Sequence, residues 1–288
     1  PQESEPPTGG GSFLIDEGGR PGHIAWNYDL ILSLGVEGLI ERHRQALART
    51  NDPQARDYYG AVLICLQAVL EWNRRHVREL ERMLSQAGTP EERAFIRENI
   101  RVMERVPAKP ARTFHEAVQS FYFQWLCVMY EAPYGGNSPG RLDHHLWPYL
   151  QSEYESGALS YQEAAELVAE LFCKIDERVH PHDGHVNTIV VGGVRPDGTD
   201  GVTPLTTMML DVFDRLNMTH PAVYTRISQV NPPAYVDRCI DYLLTGGNRA
   251  QIMADEPIIR AMTREGRMSY EDAAMYVCGG AWRSARTG

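Results

Sequence analysis

NTIVVGGVRPDGTD, residues Asn187–Asp200, is the stretch whose reading decides the fold. Thr188-Ile189-Val190-Val191 is a β-branched run that suits a buried, pleated strand. The Gly192-Gly193 pair interrupts it, and the following PDGTDG supplies turn chemistry. Downstream the character alternates. Leu205 to Leu216 reads as a helix, AVYTRIS (Ala222–Ser228) as a second strand, and Val236 to Thr245 as a helix stopped by Gly246-Gly247. Ala250 to Met253 is a third, short strand-like run. Strands separated by helices imply an α/β fold with parallel pairing.

Upstream the chain is helical. Leu30, Ile31, Leu34, Val36, Leu39 and Ile40 form one apolar side from Asp29 onward. Tyr58 to Gln86 keeps a 3.6-residue period through Leu63, Leu66, Val69, Leu70, His76, Val77, Leu80 and Met83, and Gly88-Thr89-Pro90 ends it. Pro90 with Glu91 and Glu92 opens the next helix, which closes at Val106-Pro107. Thr113 with Glu116, and Ser160 with Glu163, carry the capping-box spacing for helices to about Tyr130 and Ile175. Pro1 to Gly22 shows no apolar period and reads as an extended lead-in.

Of the 288 residues 43% are hydrophobic, enough for one large core or two modest ones. The net charge of −10, with acidic and basic groups interspersed, argues against nucleic acid or an anionic membrane as partner. The longest apolar stretch, Ala117 to Tyr130, is broken by Gln119, Ser120 and Gln124, and falls short of the ~20 residues of a membrane span. The N-terminus lacks the basic-then-apolar order of a secretory signal, so a soluble, cytoplasmic protein is expected. Five cysteines without a CxxC pair read as free thiols in a reducing compartment. Cys65, Cys127, Cys173 and Cys239 lie in apolar runs and are expected to be buried. His180, His182, Asp183 and His185 in HPHDGH offer metal-ligand chemistry, but Pro181 prevents one helix from presenting all three histidines. A loop of solvated histidines is the preferred reading there, and no metal is expected. No GxGxxG, Walker or GxSxG pattern occurs.

Six segments in order resemble the glycyl-radical enzymes of the pyruvate formate-lyase type, a family that includes glycerol and diol dehydratases, choline lyase and arylacetate decarboxylases. They are GHIAWNYDLILSLGVEGL (Gly22–Leu39), VPAKPARTFHEAVQSFYF (Val106–Phe123), SPGRLDHHLWPYL (Ser138–Leu150), NTIVVGGVRPDGTD, YTRIS (Tyr224–Ser228) and EDAAMYVCGGA (Glu271–Ala281). The resemblance implies an α/β fold in which a helical layer, about 23–180, wraps about half of a ten-stranded barrel, about 181–288. Complete members are longer on both sides. It also implies a radical stored on a backbone glycine, installed by a separate radical-SAM activating enzyme, and a small organic substrate inside a homodimer. The reaction would be radical C–C or C–X cleavage, dehydration or decarboxylation.

In that family the radical passes to a loop cysteine followed two positions later by a glutamate, in the pattern Asp-Ala-x-x-Tyr, three residues, Gly-Cys-x-Glu. Asp272, Ala273, Tyr276 and Gly280 match the pattern, but the cysteine position falls on Ala281 and the glutamate position on Arg283. Cys278 is the nearest thiol, and serves only if the loop register slips. Ala281 to Gly288 has no family character, and no segment for the stored radical is present, which points to a truncated or frame-shifted reading. Tyr134, Gly135, Gly136, Asn137 and Ser138, ahead of Gly140-Arg141-Leu142-Asp143, correspond to the residues that contact substrate. The alternative for that segment is a plain turn held by an Arg141–Asp143 pair. For the whole chain, the alternative is a non-catalytic, degenerate half-enzyme that acts as a binding or interaction module.

Overall fold

The computed structural model describes residues 27–131, 138–177, 187–218, 220–246, 250–266, 268–279 and 283–285. They fall into two compact units, Asn27–Cys127 with His145–Leu171, and Val128–His144 with Phe172–Gly288.

The first unit is helical. Helix α1 (Tyr28–Arg49) begins where the Asn27 side chain accepts from Leu30 N. It is broken at Gly35 (φ 65°, ψ 174°), where a Cβ would lie 2.5 Å from the Lys109 carbonyl carbon. The break frees two amides, and Val36 N and Glu37 N donate to the carbonyls of Pro107 and Ala108, both at 2.9 Å. Helix α2 (Pro53–Gln86) starts five residues earlier than the apolar period indicates, because Asp52 caps it and Pro53 occupies the first turn. Seven of the eight apolar-stripe positions are half-buried, while Met83 is exposed. Asn73 is fully inside and donates to Met103 O at 2.8 Å. Helix α3 (Pro90–Met103) is capped by Thr89, with Glu91 and Glu92 at its positive end.

The capping spacings have different outcomes. At Ser160 both reciprocal bonds form, Glu163 N to Ser160 Oγ and Ser160 N to Glu163 Oε2. At Thr113 only half the box exists: Glu116 N donates to Thr113 Oγ1, while the Glu116 carboxylate accepts from Arg112 N and the Arg112 guanidinium. The arginines draw it away. The helices so started are α4 (Phe114–Glu131) and, after α5 (Leu142–Ser156), α6 (Tyr161–Asp176).

The second unit holds the sheet. Strands β1 (Thr188–Gly192), β2 (Ala222–Ile227) and β3 (Ala250–Ala254) pair in parallel in the order β1-β2-β3. Helix α7 (Pro204–Leu216) connects the first two strands and α8 (Pro233–Leu244) the second pair. All five β1 residues are buried, as a strand covered on both faces requires. Tyr235 of α8 donates from its hydroxyl to Arg226 O at 3.1 Å, fastening the helix to β2. After β3 come α9 (Asp255–Thr263), α10 (Tyr270–Ala274) and an antiparallel pair, β4 (Val277–Gly279) with β5 (Arg283–Ala285). The α/β expectation holds.

The cysteine expectation is corrected. Cys239 is buried, but Cys127 is half-exposed and Cys65 and Cys173 face outward. The helical period explains this. Leu63, Leu66 and Leu70 take the inward side of α2 and Ile64 and Cys65 the outward one. On α6, Leu171, Phe172 and Ile175 are inside, leaving Cys173 out. Among the described residues no helix is long and apolar enough to cross a membrane.

Candidate functional site

Arg141, Asp143 and Tyr276, which belong to segments of the resemblance, meet at the carboxyl ends of the parallel strands. The chain there leaves β1 through Gly192 (φ 75°) and Gly193 (φ 71°), a left-handed pair that L side chains rarely adopt. Space is as restrictive as conformation. A Cβ at Gly192 would overlap the Tyr235 ring, and one at Gly193 would overlap the Asp255 carboxylate and sit 2.8 Å from Arg226 Nε. The double glycine leaves room for the Tyr235 hydroxyl and for the Arg226–Asp255 pair at the end of β1.

Arg141 and Arg226 are both fully buried. Arg141 Nη1 donates to the carbonyls of Val194 (2.9 Å) and Ala274 (3.2 Å), and Nη2 to that of Gly192 (2.8 Å). Arg226 is forked onto Asp255, Nε to Oδ1 at 2.8 Å and Nη2 to Oδ2 at 2.9 Å. Its Nη1 reaches Ala274 O at 2.8 Å, and its guanidinium lies 4.0 Å over the Tyr276 ring. Tyr276 returns a hydroxyl bond to Asp255 Oδ1 at 2.9 Å, and Val194 N donates to Asp255 Oδ2 at 2.7 Å. Asp143 accepts from Gly192 N at 2.7 Å and from Thr206 Oγ1 at 2.8 Å.

Two cations and two carboxylates therefore balance in a dry place. Burial, then the neighbouring Arg226 charge, pushes the Arg141 pKa down to about 10. Burial also acts against Arg226, but its Asp255 bonds outweigh that and the pKa rises. An Arg141–Asp143 pair holding a turn is not what forms. Arg141 spends its donors on three carbonyls and Asp143 holds an amide and a hydroxyl, because both are aimed across the end of β1. Ser138, expected to contact substrate, is buried and accepts from Thr188 N at 3.4 Å, at the start of β1. Tyr134, Gly135, Gly136 and Asn137 lie outside the described residues, as do His180, His182, Asp183, His185 and Ala281.

Cys278 lies in β4 at the register position opposite Ser284, with Gly279 opposite Arg283. By register it belongs to a paired strand. A cleft of about 320 Å³ opens at the same strand ends, lined by Val194, Ser228, Asp255, Glu256, Ile259 and Arg260 among others. There Glu256 accepts from Ser228 Oγ (2.7 Å) and Gln229 N (2.9 Å). Sequence reasoning missed Arg226, Asp255 and Thr206 as site residues. The available signal was an arginine and an aspartate bordering runs that otherwise read as buried strand.

Comparison with protein-family models matches residues 14–288 to the pyruvate formate lyase-like model. The chain belongs to this family. Among curated relatives, isethionate sulfite-lyase of Oleidesulfovibrio alaskensis is 26% identical over 277 residues, 89% of this chain and 33% of that protein. Trans-4-hydroxy-L-proline dehydratase of Clostridioides difficile is 26% identical over 273 residues, 88% of this chain and 34% of that protein. Among solved structures, one described for 1,2-propanediol dehydration in Roseburia inulinivorans superposes with a TM-score of 0.86 at 24% identity, over 93% of this chain and 35% of the other. The fold of this pyruvate formate lyase-like chain is thus that of part of a glycyl-radical enzyme. It spans about a third of the length of the relatives it matches.

Proposed function

We propose that this chain is the central part of a glycyl-radical lyase or dehydratase for a small organic molecule, with its radical-relay cysteine removed by a shift of reading frame at position 281. Alanine has no S–H to give up, so Ala281 does not fit the relay, and no radical step is assigned to this chain as it stands. Cys278 lies three residues before that position, and because radical transfer demands close, fixed geometry it is not assigned the role.

The observation that carries the reading is Gly280-Ala281-Trp282-Arg283. Tryptophan has one codon, tgg, so this peptide can be encoded as ggn-gcg-tgg-agr. Restoring a single t after the glycine codon gives ggn-tgc-gtg-gag, which is Gly-Cys-Val-Glu. One base returns both the cysteine and the glutamate to the two positions the family pattern requires. In the restored protein the cysteine would supply the thiyl chemistry. The glutamate, if buried, would hold a raised pKa and exchange protons near neutrality. The same reading carries a separate radical-SAM activating enzyme, a homodimeric, cytoplasmic and anaerobic setting, and a substrate loop at Tyr134 to Ser138.

Sequencing the gene across codons 280–283, together with the intact mass of the native protein, tests this. A t ahead of gcg, with a mass that requires Cys-Val-Glu, is the expected result. A gene that reads alanine, tryptophan and arginine in frame, with a mass to match, overturns it and leaves the degenerate binding module.

A further inference from the structure

A second cleft, of about 340 Å³, opens in the helical unit between α1, α2 and the end of α3. Its lining joins Leu70, Val77 and Met103, which are buried or half-buried, to Asn73. Asn73 is only 5% exposed and gives its Nδ2 to Met103 O at 2.8 Å, while its Oδ1 has no partner. The Met103 carbonyl fixes which end of the amide is which, since only the NH2 end donates. A buried acceptor left unmade is rare in a native interior and costly to keep. This one calls for an N–H or O–H donor.

The exposed lining decides the charge of that donor. Glu37, Glu81 and Glu104 are exposed there, and none of the three forms an ion pair among the described residues. Arg74 and Arg78 line the cleft too, but both are turned to Glu71, at 3.5 and 3.2 Å. With Glu71 included, four carboxylates stand against two guanidiniums. We propose that this cleft binds a primary alkylammonium group, carried by a free aliphatic amine or by a lysine side chain. The ammonium donates to Asn73 Oδ1 within the field of the three unpaired carboxylates, and its first methylenes pack on Leu70 and Val77. A trimethylated head has the charge but no N–H. An alcohol has the donor but no charge. Neither satisfies both demands.

The cleft lies wholly upstream of position 281, so its test is independent of the reading frame there. The experiment is an NMR titration of the full chain at low ionic strength, following the Asn73 side-chain amide. The probes are n-pentylammonium, trimethylpentylammonium and pentanol. n-Pentylammonium should shift the Asn73 signal and bind about tenfold more tightly than the trimethylated ion, which cannot bond the buried acceptor. Pentanol should bind more weakly than n-pentylammonium, and added salt should narrow that margin. Asn73→Ala should weaken n-pentylammonium about tenfold. If Asn73→Ala does not fold, the exposed change Glu104→Gln decides, with an expected loss of about two- to fivefold. Cadaverine and Nα-acetyl-lysine amide separate the two sources: tighter binding of the first supports a free amine, and of the second a lysine side chain. No binding of any amine overturns the proposal, as does equal affinity for n-pentylammonium and its trimethylated analogue.

Discussion

Two ionic clusters in this chain use the same chemistry in opposite surroundings. Around Glu116, one fully buried carboxylate gathers Arg101, Arg105 and Arg112, whose side chains are 52%, 25% and 59% exposed. Around Asp255, the carboxylate and its Arg226 partner are both inside, at 1% and 0%. In the first cluster water competes for every arginine, and each cation has somewhere to go. In the second nothing replaces a lost partner. A buried pair adds little relative to an apolar substitute, but breaking one side is costly. The comparison teaches that the Asp255 cluster defines geometry, whereas the Glu116 cluster adjusts a helix start.

The largest effect is expected where that difference is greatest. Asp255→Ala strands a buried guanidinium and the Tyr276 hydroxyl, and should lower unfolding free energy by about 3–5 kcal/mol in urea titration. Glu116→Ala should cost clearly less, and equal losses would erase the contrast. Gly193→Ala probes the same interior through the backbone. Left-handed strain costs about 1–3 kcal/mol before the overlap with Asp255 is counted, so a loss of at least about 2 kcal/mol is expected.

The Glu116 cluster should respond to pH instead. Burial raises the Glu116 pKa, but the Arg112 bonds outweigh it and hold the carboxyl below its ordinary value of 4.5. Its contribution is therefore fully present above pH 4.5 and is lost as pH falls through the lowered folded value. The difference in urea midpoint between wild type and Glu116→Gln should shrink steadily on acidification below that point. A difference that grows in acid would reverse the sign argued here. Smallest of all, Arg82→Ala removes an exposed ion pair with Glu79 on α2 and should leave the melting temperature unchanged within error.

Much of the framework was legible from local pattern. The three strand runs, the Ser160–Glu163 box and the Pro90 helix start depend on neighbours within a few residues, and all formed where the sequence placed them. The Asp272, Ala273 and Tyr276 match was visible as a motif, but its physical meaning was not. Tyr276 matters through Asp255 and Arg226, 21 and 50 residues away by their hydrogen bonds. No periodicity encodes such distances. Gly192-Gly193 read as an interruption because the groups that need the space, Tyr235, Arg226 and Asp255, arrive from far along the chain. Helix α5 carries Pro148 in its interior, which masks the helical pattern of DHHLWPYL. Cys65 and Cys173 misled because an apolar run says nothing about which side of a helix each member takes.

The bond from Arg141 to Ala274 spans 133 residues of chain. A ribosome adding about 5–20 residues per second needs roughly 7–27 s to make that stretch. Throughout that time the nascent chain carries a cation that must remain in water. The strand end around Gly192 then cannot close over Arg141 in its final form until its last acceptor has been synthesised, so the interior of this unit is sealed late. A cell that slows elongation between these positions prolongs the period in which apolar β1 is open to chaperones and proteases.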